Sequence, residues 1–287
     1  IKKETLRPVK DLSTTYPVPE LTHLKRVRTR KVGDEHKVEI LLMPVKEVNE
    51  LGNLQVGVNV ATEKILKKAI TRYELSEYAT VHSVAKTAPL TRTQFEGASL
   101  LWATQFHEDK YILKILNDKL FTFKDKSRME NYMKRAIEAA LKAKSPVGAV
   151  VINPSTSEVI CIAVDLRKLH PLQHAVRVAI DLVAQSQGGG AWKMTDPNYS
   201  SKKIPAHLVP YLCTGYELYV TRKPCTMCSM APVHSRIKRV FYGYPVSWGS
   251  LGSFMKLHTQ TGLNHHYEVW KGVLEEECRK LSEHTIS

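Results

Sequence analysis

The sequence predicts an α/β protein in which a three-layer α/β/α domain follows a smaller α+β domain. Three observations carry this expectation. Strand-like runs at residues 217–220 and 239–242 flank a helical stretch that opens at Pro224, a strand-helix-strand succession. Met129, Met133, Ala136, Ile137 and Ala140 recur at helical spacing, so a long amphipathic helix opens this second domain. The first 120 residues mix short strand and helix patterns, as a small α+β unit does.

Taken in order, residues 1–22 hold Pro8, Pro17 and Pro19 with mixed charges and no periodicity, and read as an extended lead-in with little fixed structure. Residues 24–32 and 37–43, separated by Gly33-Asp34-Glu35, predict a strand pair. A helix at 61–69 and a strand near 79–85 are expected next. Thr93-Gln-Phe-Glu96 has the capping-box spacing and predicts a helix through Leu100 and Trp102. An N-terminal domain over residues 23–122 follows, with the boundary at 121–126.

Ser127-Arg-Met-Glu130 is a second capping box, and the second domain is placed at 126–287. Residues 147–152 and 159–164 flank Asn153-Pro-Ser-Thr-Ser157, which suits a hairpin. His174 opens an apolar-periodic helix of Val176, Val178, Ala179, Leu182 and Val183. Residues 186–214, with Gly188-Gly-Gly190, make an insertion too long for an ordinary connection. Pro224 suits the first position of a further helix, which would place Cys225 and Cys228 in or beside its first turn. Residues 273–281 predict a last helix.

At 287 residues and 43% apolar content the chain can bury a sizeable core. It contains neither a signal-peptide pattern nor an apolar run of about 18 residues, so secretion and membrane spanning are not expected. A chain that opens on Ile1 rather than methionine is expected to be a fragment or to continue upstream. The net charge of +14 favours association with a polyanion, nucleic acid being the usual one. The excess is spread over both halves: 20 Lys and Arg against 15 Asp and Glu in residues 1–120, and 22 against 13 in the remainder. Its sharpest cluster is Lys25, Arg26, Arg28, Arg30 and Lys31, where strand alternation would align Arg26, Arg28 and Arg30 on one face. That cluster is a candidate RNA contact; the plainer reading is an edge strand guarded by charge.

One spacing carries chemistry. His174, then Cys225 and Cys228 behind Pro224, supply three donors of the type that holds a zinc ion with its fourth position open. Zinc deaminases of nucleobases use this arrangement together with a glutamate two residues after the histidine, which moves protons between the attacking water and the leaving amine. Here that place is Val176, and a hydrocarbon side chain cannot carry a proton. The residues therefore read as a metal cage without its catalytic acid. A redox pair at Cys225 and Cys228 is the bland alternative, and Cys161, Cys213 and Cys278 read as buried thiols.

At these residues the chain resembles the tRNA adenosine deaminase branch of the cytidine deaminase superfamily. The likeness runs from about residue 127 to the C-terminus. It includes Pro146-Val-Gly-Ala-Val-Val-Ile152, His234-Ser-Arg-Ile-Lys-Arg-Val-Phe-Tyr-Gly243, Leu263-Asn-His-His266 and Gly272-Val-Leu-Glu-Glu-Glu-Cys278. Val176 together with the long N-terminal extension is similar to the noncatalytic subunits of the eukaryotic wobble adenosine deaminases. The resemblance implies a cytidine deaminase-like fold for the second domain and Zn²⁺ held by His174, Cys225 and Cys228. It further implies a heterodimer with a catalytic subunit that makes inosine in tRNA, an N-terminal domain that helps hold the tRNA, and residence in nucleus and cytoplasm. Two further departures from active members are Lys223, where they have Glu before the Pro-Cys pair, and Ala163, where they have a substrate-contacting Asn. The competing enzyme reading has the chain deaminate a base by itself with Asp165 or Glu217 replacing the missing shuttle. A third reading, a thiol-disulfide protein, predicts no bound metal.

Overall fold

A computed structural model describes residues 9–10, 13–14, 17–42, 80–192, 200–201, 210–253 and 255–284. The chain divides into two compact units, Ile1–Leu120 and Phe121–Ser287.

In the first unit, Val9, Lys10, Ser13 and Thr14 have helical backbone, where the lead-in was expected to carry no regular structure. The Ser13 and Thr14 hydroxyls donate to the carbonyls of Val9 and Lys10, four residues back, a local pairing that lead-in composition does not reveal. Strand β1 (Val27–Val32) pairs antiparallel with β2 (Glu35–Ile40) around Gly33 and Asp34, and Gly33 takes φ +64°, which glycine adopts without a steric penalty. Helix α1 (Arg92–Leu101) begins two residues before the position expected from Thr93: Thr91, in extended backbone, accepts from the Gln94 amide. Either threonine satisfies the motif, and the chain's extended entry at Thr91 decides between them. Helix α2 (Lys110–Leu116), capped by the Asp109 carboxylate, was not anticipated. Trp102, 2% exposed, donates its indole N–H to the Lys25 carbonyl and anchors this unit's small core. Residues 80–85 form no strand, contrary to expectation. Instead His82 packs on Trp102 with ring centroids 5.7 Å apart. The helix expected at 61–69 lies outside the described residues.

The second unit opens with α3 (Phe123–Lys142). Its capping box is Thr122 and Asp125, so Ser127 lies inside the first turns rather than at the cap. Met129, Met133, Ala136 and Ala140 form its buried stripe. Six strands follow: β3 (Gly148–Asn153), β4 (Glu158–Val164), β5 (Ser200–Ser201), β6 (Glu217–Arg222), β7 (Arg239–Tyr244) and β8 (Glu268–Lys271), in the spatial order β5-β4-β3-β6-β7-β8. Strand β3 is antiparallel to both β4 and β6, while β6, β7 and β8 are parallel. It follows that β4 and β6 run the same way and end at the same edge.

Alternation sorts the strand side chains into two layers. Ala149, Val151, Leu218, Val220, Val240 and Tyr242 face α4 (Ala175–Ser186) and α5 (Thr226–Ser235). Val150, Ile152, Tyr219 and Phe241 face α3 and α6 (Glu275–His284), with Tyr219 and Phe241 stacked 4.6 Å apart. The result is the three-layer α/β/α sandwich. Helix α3 lies so close to the sheet that a Cβ on Gly148 would fall 1.9 Å from the Ala136 carbonyl oxygen. Among the described residues no helix is long and apolar enough to cross a membrane.

Candidate metal centre

Two chain segments leave the sheet at one edge. After β4 the chain passes through Asp165 and a short loop to His174, the N-cap of α4; after β6 it passes through Lys223 and Pro224 to Cys225, the N-cap of α5. Pro224 therefore precedes the helix instead of opening it, because Cys225 is in extended backbone (φ −70°, ψ 174°) and the first helical residue is Thr226. The His174 side chain caps no backbone amide, which leaves the imidazole available to another partner, while the amides of Cys228 and Met227 point at the Cys225 sulfur and favour its thiolate. Cys228 stands one turn further, buried.

The donor atoms of His174, Cys225 and Cys228 all lie within 4.8 Å of one another, and Cys225 Sγ is 3.7 Å from His174 Nδ1. Zn–N and Zn–S bonds of about 2.0 and 2.3 Å at tetrahedral angles put neighbouring N and S ligands about 3.5 Å apart, so this edge fits a zinc ion. Charge fits as well. The Cys225 thiol is pulled down to about 5, first by the hydrogen bond with Cys228, against the opposing effect of burial. The same bond and burial push Cys228 up, so the pair holds one proton between them. Two helix N-termini at the cage add partial positive charge that favours thiolate.

Val176, 2% exposed, sits in the first turn of α4 and presents only hydrocarbon to a cleft of about 250 Å³ beside the cage. Among the described residues no carboxylate oxygen joins the three donors. Asp165 lines the same cleft, but both its oxygens are engaged by Arg167 Nε, at 2.9 and 2.8 Å, and Oδ1 also accepts from the Arg167 amide. Glu217 begins β6, five residues before the strand's site end, and thus about 17 Å away; it is paired with Arg239. Ala163 is fully buried in the core against Ala149 and does not line the cleft.

Three cleft residues escaped the sequence reading: Arg167, Arg222 and Trp248. The Arg222 guanidinium lies 5.3 Å from the Trp248 ring centroid, and burial, then Arg167, holds its pKa below the usual value. Lys223 is 5% exposed, and burial, then Lys271, lowers its pKa. The basic doublet directly before Pro224 was a usable signal; nothing in the local sequence marks Arg167 or Trp248.

In the first unit the basic cluster divides. Lys25, Arg30 and Lys31 are exposed, whereas Arg26 and Arg28 are partly buried. Arg26 donates to the Leu42 carbonyl at 2.8 Å. Arg28 is ion-paired with Glu39, donates to the Leu101 carbonyl at 2.6 Å and lies 4.0 Å over the Trp102 ring. Arg28 and Arg30 share a face of β1 but not an environment. Arg30 stands opposite Lys37, a like-charge pair.

Comparison with known proteins adds to this geometry. The family model described as the cytidine and deoxycytidylate deaminase zinc-binding region matches residues 126–244, and that of the tRNA-specific adenosine deaminase TAD3 N-terminal domain matches residues 2–102. A zebrafish (Danio rerio) protein named "probable inactive tRNA-specific adenosine deaminase-like protein 3" is 41% identical over 300 residues, covering 98% of this chain and 86% of its own. The Homo sapiens protein of the same name is 39% identical, covering 99% and 85%. The Arabidopsis thaliana "tRNA-specific adenosine deaminase TAD3" is 25% identical, covering 94% and 88%.

Proposed function

Because the chain belongs to the tRNA-specific adenosine deaminase-like protein 3 (TAD3) family, we propose that it is a noncatalytic, zinc-holding subunit. It pairs with a catalytic deaminase subunit that makes inosine at the wobble position of tRNA. One observation carries the reading: three metal donors converge while the residue beside them is Val176, with no carboxylate in the group among the described residues.

His174, Cys225 and Cys228 would hold the zinc. When bound in such a site, zinc supplies Lewis acidity that brings a coordinated water's pKa to about 7. The chain's own residues make no use of it. Val176 can neither accept a proton from water nor give one to an amine, and Asp165 is committed to Arg167. What the cage does is mechanical: it ties the N-termini of α4 and α5 together at the sheet edge, and the subunit contributes a folded surface to its partner. The tRNA contact falls to the N-terminal unit. There Lys25, Arg30 and Lys31 are exposed, and the unfavourable Arg30–Lys37 pairing is relieved by a phosphate between them. Arg26 and Arg28 serve that surface from below by fixing the strand. Nucleus and cytoplasm are the compartments that suit a chain whose five cysteines are all thiols.

The test is an inosine assay on tRNA with the catalytic partner alone, this chain alone and the copurified pair, alongside zinc analysis. Inosine from the pair only, with about one zinc held by this chain, is the expected result. Turnover by this chain alone refutes the proposal and restores the reading in which a carboxylate such as Asp165 replaces the shuttle.

A further inference from the structure

The cleft beside the cage carries a charge pattern that a proton-shuttling deaminase pocket has no use for. Arg167, Arg222 and Lys223 line it against a single carboxylate, Asp165, which Arg167 already engages through Nε. Arg222 makes a 3.4 Å hydrogen bond to the Ser282 hydroxyl, and neither it nor Lys223 has a salt bridge among the described residues. Lys223 lines the cleft wall with its stem packed under Gly249, whose Cβ, if present, would lie 3.1 Å from the lysine's Cε, and the charge that acts on its ammonium is a like one, Lys271. Cations grouped with too few counter-charges raise one another's free energy, and an anion placed among them removes that cost.

The cage does not supply it. A zinc ion with two thiolates and a neutral imidazole sums to zero charge, so the cleft keeps its excess of cations with the metal in place. The other lining groups narrow the anion's chemistry. The neighbouring guanidinium groups of Arg167 and Arg222, with Lys223 on the same cleft wall, match phosphate oxygens, and the half-exposed Trp248 ring beside Arg222 is a stacking surface for a base.

We propose that this cleft is a nucleotide phosphate site: Arg222 and Lys223, with the free end of Arg167, hold a phosphate, and Trp248 receives the attached base. This rests on the reading of the cage as a structural zinc site. It reassigns the space that a deaminase would give to a neutral base undergoing attack. The phosphate comes either from a free nucleoside monophosphate or from a phosphodiester of single-stranded RNA.

The full-length, zinc-loaded chain without its partner, titrated calorimetrically with AMP and with adenosine, separates the possibilities. AMP is expected to bind at least about tenfold more tightly than adenosine, and Arg222→Gln or Lys223→Met to weaken AMP about tenfold each. Lys223→Arg should retain binding. Melting temperature and zinc content of each variant establish that it is folded, and should Lys223→Met not fold, Arg222→Gln decides. Equal binding of adenosine and AMP, no binding of either, or AMP binding unchanged in folded Arg222→Gln overturns the proposal. Competition between AMP and the dinucleoside monophosphate of adenosine identifies RNA as the source, and lack of competition identifies the free nucleotide. Failure of the cage reading appears separately, as zinc well below one per chain.

Discussion

Replacing His174 with alanine should lower the stability of the second unit by an amount set by the chain it closes. A zinc ion held by the three donors would join His174 to Cys225, 51 residues apart in sequence, and so act as a cross-link on the unfolded chain. For a loop of that length the chain-entropy relation used for disulfides gives about 4 kcal/mol at 25 °C. In a domain of roughly 150–250 residues each kcal/mol moves the melting temperature by about 2–4 °C, so the expected fall is about 8–16 °C. Circular-dichroism melts of the zinc-loaded protein, the chelated protein and the His174→Ala variant measure it directly. The last two should coincide, because both lose the same link. If zinc removal shifts the midpoint by less than about 2 °C, the cage is not what ties α4 to α5 and the mechanical role fails.

Val176→Ala should leave inosine formation by the assembled pair within about twofold of normal while costing roughly 1–2 kcal/mol of stability, as a small core cavity does; a large loss of activity at unchanged stability would show a catalytic part for this position. Arg28→Ala should destabilise the first unit by about 1–3 kcal/mol, since it removes an ion pair, a carbonyl partner and the Trp102 contact together, whereas Arg30→Gln and Lys31→Gln should leave melting unchanged and each reduce the salt slope of tRNA binding by about 1. Unaltered salt slopes would return these two side chains to simple edge protection. Alkaline stability tests the core: burial pushes the Cys213 thiol up to about 12, while an unfolded thiol ionises near about 8.5, so the folded state holds the proton longer and stability falls as pH rises between those values. Urea unfolding at pH 8 and pH 10 should show a loss to which Cys213 contributes on the order of 1–2 kcal/mol, and Cys213→Ala should reduce it by that share while the buried Cys161 and Cys278 keep theirs; an identical pH dependence in that variant would contradict the assignment.

The sandwich was legible because period-2 and period-3.6 patterns survive in long, fully buried elements such as β3, β6 and α3. The meeting of His174, Cys225 and Cys228 was legible because metal-donor chemistry fixes both residue type and spacing. Less visible were features decided by partners distant in sequence. Strand β8 has only four residues and β5 two, too few for a pattern to register. Arg28 and Arg30 are equivalent in sequence, yet one is claimed by Leu101, 73 residues away, and the other is not. Helix starts were displaced at Thr91 and Thr122 because a second capping residue stands near each, and at Cys225 because extended backbone runs on past Pro224; backbone conformation, not composition, decides in all three. Arg167 and Trp248 reach the cleft from loops whose meeting point exists only once β4 and β6 end at one edge.

The departure at position 176 and the cations of the cleft bear on each other through electrostatics. A carboxylate that shuttles protons near neutral pH needs a pKa raised toward 7, and an adjacent ammonium or guanidinium would hold it down in the ionised form, weakening it as an acid. Arg222, which lines the same cleft as Val176 and has no salt bridge among the described residues, is therefore poorly compatible with a working shuttle at position 176. With valine there, the cleft is freed from that requirement, and its cations are costly only for want of a counter-ion. The metal donors face no such conflict, because a cation in the cleft leaves the cage's internal charge balance unchanged and favours the thiolates it needs. One local change of side chain thus separates two functions that a deaminase site combines: the cage keeps its structural work, and the cleft becomes an anion's environment instead of a base's.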